Sequence, residues 1–282
     1  MSILKISSPG GGFFSCCSQM LEQVVVFFNE KKHLPDIVDS SELFSNYKLE
    51  KTENLTSLYF SLNDNCVVDY QNSVDFNNDK QFTKYDLLDF NKIIPFVKKY
   101  FSPSDRVKKI VSSYEIKYNI DYNNTCAVLY RGNDKYRETG IASYKDFILP
   151  AKKIKKENPK VIFLVQTDES EFLDAFLEEF PDSFFVKEIP RMNKKDSCMF
   201  YELPKKDLPE FGANFLGVLI VLSKCKFLIT HSGNCGMWCV LYRGNSDGVY
   251  QWLKPANSNF LDSFIRFYKK SIKKIKNIFN FL

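Results

Sequence analysis

In "CAVLYRGNDK" an apolar run, Cys126 to Tyr130, stops at Arg131, Asn133, Asp134 and Lys135. An arginine offers phosphate a planar, bidentate grip, and a lysine adds a point charge. Two more apolar runs end in polar clusters. "VIFLV" is followed by Gln166, Thr167 and Asp168, and "KFLIT" closes on Thr230 and leads into His231, Ser232, Gly233 and Asn234. The Ser232-Gly233-Asn234 turn opens a helical pattern, where backbone N–H groups favour an anion. The chemistry expected of these clusters is diphosphate binding without a metal. The chain carries no Asp-x-Asp, no complete Walker loop and no GxGxxG.

Other residues read two ways. Gly10 to Gly12 make either a plain strand-to-helix turn or a ligand-facing loop. His231 either contacts a ligand or is a hydrogen-bonded structural residue. Asp168 either reaches a nucleotide base or ribose, or forms a capping box with Glu171. Trp238 is expected in the core behind the Ser232 turn.

The elements that must position these groups are legible as periodicity. "ILKI", the glycine-rich turn, a helix with apolar residues at three- and four-residue intervals from Phe13 to Phe28, and "DIVDS" make a strand–helix–strand unit. Residues 51–81 are polar, with short strands possible at "SLYFSL" and "NCVVDY". Helical spacing returns before Pro103, broken at Pro95. A further helix is capped by Ser102 or Ser104. Beyond "NIDYNNT" the order is regular: strand "CAVLY", a helix interrupted or kinked at Pro150, strand "VIFLV", helix "DESEFLDAFLEEF", strand "SFFVKEI", helix "NFLGVLIVLSKC", strand "KFLIT" and helix "CGMWCVLY". Alternating strands and helices imply α/β, with doubly wound parallel sheets whose carboxyl ends form a ligand crevice. The expected divisions are residues 1–120, 121–255 and 256–282.

The 282 residues can bury two ordinary cores, and the net charge of +5 is too mild for nucleic acid as main partner while suiting an anionic small ligand. Eight cysteines without a CxxC pair and two distant histidines argue against zinc and read as buried thiols. With no apolar run of spanning length and no signal-peptide core, a cytoplasmic location is expected.

"LYRGNDK" resembles the HxRxGD-type first motif of the fucosyltransferase superfamily, with Arg131 at the motif arginine and Leu129 where the motif usually begins with His. "VIFLVQTDESEFLDAFLEEFPDSFF" is similar to the second motif region. "LGVLIVLSKCKFLITHSGNCGMWCVL" is similar to the third, with Thr230, Ser232 and Cys235 as matches and Gly233 and Asn234 as departures. "PGGGFFSCCSQML" sits where members carry a Gly-Gly loop. The likeness covers residues 3–40 weakly and 124–245 in order.

It implies a GT-B glycosyltransferase of two Rossmann-like domains facing a cleft: 1–120 on the acceptor side and 121–255 holding the nucleotide sugar. It further implies GDP-fucose as donor, a glycan or protein acceptor, inversion at the sugar carbon, and neither metal nor separate cofactor. Gly11, Gly12, Arg131, Asn133, Lys135, Asp168, His231, Ser232, Gly233 and Asn234 would bind the donor. Arg131 would stabilise the leaving diphosphate, and a carboxylate among Asp36, Asp39 and Glu42, with Asp39 taken as the assignment, would accept the acceptor proton. Residues 256–282 follow the spacing of a basic amphipathic helix, read as packing on the first domain or as peripheral membrane contact. Two other functions fit the residues: a different nucleotide-sugar donor, or an inactive scaffold that binds a glycan or protein.

Overall fold

The computed structural model describes residues 1–7, 11–50, 58–69, 71–133, 140–191 and 202–253. Gly10, Asp134, Lys135 and the expected helix over 256–282 lie outside them.

Four parallel strands organise the C-terminal half. They are β5 (Thr125–Tyr130), β6 (Ile162–Thr167), β7 (Phe227–His231) and β8 (Val249–Trp252), in the order β6-β5-β7-β8. Every residue of β5 is buried, so its two faces differ in what covers them. Cys126, Val128 and Tyr130 pack under α4 (Tyr144–Glu157) and α5 (Ser170–Glu179), against Phe147, Ile154, Phe172 and Phe176. Ala127 and Leu129 face the opposite layer, with α6 (Leu208–Lys224) and α7 (Asn234–Arg243). This period-two division makes a three-layer α/β/α arrangement. The chain turns outward from β5 to β6, then crosses back to place β7 on the other side of β5. The junction of β5 and β7 is therefore the topological switch point, where a crevice opens at the carboxyl ends of the strands.

The N-terminal half is less regular. The three-residue strands β1 (Ile3–Lys5) and β2 (Ile37–Asp39) pair in parallel around α1 (Phe13–Lys31). Strands β3 (Phe60–Ser61) and β4 (Ser102–Pro103) pair antiparallel. Helix α2 (Phe90–Tyr100) continues through Pro95, as α4 does through Pro150, so neither proline ends its helix. Helix α3 (Asp105–Lys117) starts at Ser104, whose hydroxyl accepts the Val107 N–H. Buried α1 residues from Phe13 to Phe28 belong to the same core as Ala127, Leu129 and Leu164 of the sheet. Met1–Trp252 thus pack as one unit, and the core continues across residue 120.

One expected strand differs and one strand is additional: "SFFVKEI" contributes only the bridge of Phe184 to Leu164, and β8 has no counterpart in the sequence pattern. No helix among the described residues is long and apolar enough to cross a membrane.

Candidate active site

Arg131 leaves β5 in phase with Ala127 and Leu129, on the side of the sheet that faces α1 and α7. Its charge acts on the phenol of Tyr47, as do the thiols of Cys16 on α1 and Cys235 on α7. Burial pushes that phenol well above its ordinary value. The Tyr47 hydroxyl also accepts the N–H of Phe13, the first residue of α1, at 3.0 Å. The start of α1 is thereby tied to a buried tyrosine that also feels the charge of Arg131.

Gly12 is the N-cap of α1, with extended backbone and no side-chain cap. A Cβ on Gly12 would meet nothing within 4 Å among the described residues. Gly11 precedes it, and its carbonyl contacts the Cys16 thiol.

The turn after β7 is wired differently from expectation. The Ser232 N–H donates to the Trp252 carbonyl at 3.1 Å and the Gly233 N–H to the Gln81 carbonyl at 2.9 Å. Two of the three amides expected to face a phosphate, those of Ser232 and Gly233, are thus engaged within the fold. Gly233 itself, at φ 135°, holds a conformation that favours glycine. What the turn can present is the next amide, at Asn234, the first residue of α7, where no earlier helical carbonyl exists. The Asn234 side chain accepts the Ser18 hydroxyl of α1, while Trp238, fully buried, donates its indole N–H to the same Ser18 oxygen at 2.8 Å. His231 lies on the far face: its ring meets Phe147, and Nδ1–H donates to the Ser232 carbonyl. That position fits the structural reading of His231 better than a ligand contact.

Asp168 corrects another expectation. Helix α5 begins at Ser170 with Glu169 at its N-cap and no side-chain cap bond, so the Asp168/Glu171 capping box does not form. The Asp168 carboxylate turns to the neighbouring loop instead. Its Oδ1 accepts the Gly132 N–H at 3.0 Å, and Oδ2 lies 3.9 Å from Arg131 Nη1. Burial pushes the Asp168 carboxyl above its ordinary value, against the opposing pull of Arg131 and the Gly132 amide. Beside it stands Glu169, a residue the sequence reading passed over. It is buried, and its two oxygens accept the Asn133 N–H and the Tyr144 hydroxyl, each at 3.0 Å. Asn133, buried at φ 35°, donates its side-chain amide to the Asp168 carbonyl at 3.1 Å. The glycine after Arg131 was the available signal, because a Cβ there would lie 2.1 Å from Glu169 Oε1.

Asp39 ends β2 and accepts the Ser41 N–H at 2.9 Å. The Ser41 hydrogen bonds, aided by the charges of Lys5 and Lys48, hold its carboxyl below the usual range. Asp36 is tied to Ser2, and Glu42 to Lys5 at 3.0 Å. Asp39 is therefore ionised but weakly basic. Among the described residues no group of three or more His, Cys, Asp or Glu gathers as metal ligands.

No protein-family model matches the sequence, and no curated protein does. Solved structures do match. NodZ α1,6-fucosyltransferase soaked with GDP-fucose aligns with TM-score 0.55 and 13% identity, over 86% of this chain and 92% of that one. The same enzyme co-crystallised with GDP gives 0.51 and 13%, over 81% and 87%. Selenomethionine NodZ from Bradyrhizobium gives 0.52 and 12%, over 81% and 87%. At this identity the likeness is one of fold: the chain has the α/β architecture of fucosyltransferase-like proteins.

Proposed function

We propose that this protein is a glycosyltransferase that takes a sugar, fucose in the reading best supported, from a GDP-sugar to a hydroxyl of a glycan or protein. The observation that carries this is the position of Arg131, which ends the central strand at the switch point of a sheet whose fold is shared with NodZ. In this reading residues 121–255 hold the donor, and residues 1–120 supply the acceptor side.

As the bond to the anomeric carbon breaks, negative charge grows on the departing diphosphate. Arg131 meets that charge with two parallel N–H donors, and the Asn234 amide at the start of α7 adds partial positive charge. Gly11 and Gly12 let backbone approach the donor without a side chain in the way. Lys135, two residues after Asn133 in sequence, adds a point charge. Asp39 accepts the proton of the attacking hydroxyl; the low basicity imposed by Ser41 requires that this proton transfer accompany, rather than precede, attack.

A second donor is favoured by one feature. Leu129, at the position of the motif histidine, is buried in the core and offers no polar contact. Titration with GDP and UDP decides between them. GDP is expected to raise Tm and UDP to leave it unchanged, while Arg131→Ala weakens GDP by about 10- to 100-fold, the value of a charge-assisted hydrogen bond. A shift with UDP alone selects the other donor. No shift with any nucleotide sugar overturns the enzyme reading and leaves a scaffold.

A further inference from the structure

We propose that Glu169 is the positioning residue for Arg131, fixing the loop from which the guanidinium projects; the inference rests on the donor-binding reading of Arg131. Arg131 and Gly132 follow β5 without regular secondary structure, and Asn133 enters a 3-10 turn. A guanidinium on such a loop delivers a bidentate grip only if its own backbone is fixed. Two successive carboxylates at the end of β6 do this, Asp168 through the Gly132 N–H and Glu169 through the Asn133 N–H, each at 3.0 Å. Asp168 also lies beside the guanidinium itself. Among the described residues Glu169 bonds the loop backbone at Asn133 and the Tyr144 hydroxyl, so through these contacts it acts on Arg131 by way of the main chain.

Three features separate this from incidental hydrogen bonding. First, Glu169 occupies the N-cap position of α5, where a Ser, Thr, Asp or Asn would cap the helix and a glutamate does not. A cap is worth about 1 kcal/mol, so the local optimum is forgone in favour of a loop 36 residues away in sequence. Second, Glu169 is 6% exposed, and the described groups that bond its carboxylate, Asn133 N–H and Tyr144 O–H, are neutral. A buried charge of this kind tolerates the loss of neither donor, which makes the loop geometry obligatory. Third, the carboxylate fills the space that a Cβ at Gly132 would need. Loop and carboxylate are complementary in shape as well as in hydrogen bonding. Asn133 completes the match, because its left-handed backbone is the conformation in which an asparagine is tolerated and its side chain bonds back to the Asp168 carbonyl.

Two ligand-free measurements and one binding cycle test the assignment. Amide hydrogen exchange at Gly132 and Asn133 is expected to accelerate about tenfold or more in Glu169→Ala, with the β5 amides unchanged as a control for folding. Side-chain 15N relaxation of Arg131 is expected to show a more mobile guanidinium in the same variant, and an intermediate effect in Tyr144→Phe, which removes one tie. If both Arg131 and the two amides keep their wild-type behaviour, the proposal is wrong. In the cycle, Glu169→Gln should weaken GDP by roughly 5- to 30-fold in the wild-type background and have no further effect in Arg131→Ala. An equal loss in both backgrounds overturns a role exercised through Arg131. A wild-type chain that binds no GDP sinks the nucleotide reading, while the exchange and relaxation results still judge the clamp.

Discussion

In the C-terminal half, four parallel strands carry their last residues to one edge, and polar groups there are held by other polar groups. Arg131 is neighboured by Asp168, and the backbone after it by two carboxylates. The N-terminal half has strands of two or three residues and fixes its contribution by apolar packing. Phe13, at the start of α1, meets Phe14, Phe44, Tyr47 and Tyr59 edge-on at ring distances of 4.9 to 5.3 Å. One half places charge by hydrogen bonding and the other places backbone by ring packing. Substitutions should therefore damage them differently: ligand affinity falls first in the one, stability in the other.

The largest effect is expected at Phe13. Its ring is 1% exposed, and Phe13→Ala should cost about 3–5 kcal/mol in urea unfolding. Because Phe13 and Leu129 share a core, the loss should appear in a single cooperative transition. Two separable transitions would instead make residues 1–120 and 121–255 independent folding units. Gly132→Ala comes next, at roughly 1–3 kcal/mol for forcing the Glu169 carboxylate away. It should lower GDP affinity more than Phe13→Ala does, when both are measured under conditions where they are folded. The reverse order would break the comparison.

The same contrast explains what could be read in advance. The strand over Cys126–Tyr130, the helix from Phe13 and the Ser104 cap were legible because each rests on residues within a few positions. Spacing failed where the deciding partner is remote. Asp168 and Glu171 have capping-box spacing, but the Gly132 amide 36 residues earlier takes the Asp168 carboxylate. Glu169 went unread for the same reason. Strand β8 is four half-buried residues without a marked apolar run, and its place is set by pairing with β7. In "SFFVKEI" the apolar residues indicated a strand, yet only Phe184 finds a partner. The two engaged amides of the Ser232 turn were also beyond local reasoning, since their acceptors are Trp252 and Gln81.

Ser18 joins the two halves, and its removal should be milder. One hydroxyl accepts the Trp238 indole N–H and can donate either to Asn234 or to the Phe14 carbonyl. Ser18→Ala leaves a buried indole N–H without its acceptor, so a loss of about 1–2 kcal/mol is expected. Because Asn234 opens α7, GDP affinity should fall as well. Lost stability with unchanged affinity would show that the tie between α1 and α7 serves packing alone.

The smallest effect is a difference in sign between Asp39 and Asp168. Asp39 has a depressed folded-state pKa, caused first by the Ser41 hydrogen bonds, so its contribution is present above the unfolded carboxylate value and lost as pH falls through the folded one. Asp168 is the opposite. Burial raises its pKa, reinforced by the charge of Glu169 and opposed by Arg131 and the Gly132 amide. Between the ordinary carboxylate value and the raised one, the folded chain binds more protons than the unfolded chain, and stability falls as pH rises. Other carboxyls with depressed pKa values, at Asp36, Asp69, Asp105 and Asp121, govern the total acid response, so only differences between variants isolate these two. Relative to wild type, Asp168→Asn should gain stability as pH rises through that window, because an amide keeps an acceptor for Gly132 and carries no charge. Asp39→Asn should lose stability relative to wild type over its own window as pH rises. Urea midpoints measured for all three proteins across the acid range check this. Slopes of the same sign would mean that the half-buried carboxylate beside Arg131 is stabilised by its partners more than it is penalised by desolvation, and the contrast between the two halves would not extend to their charges.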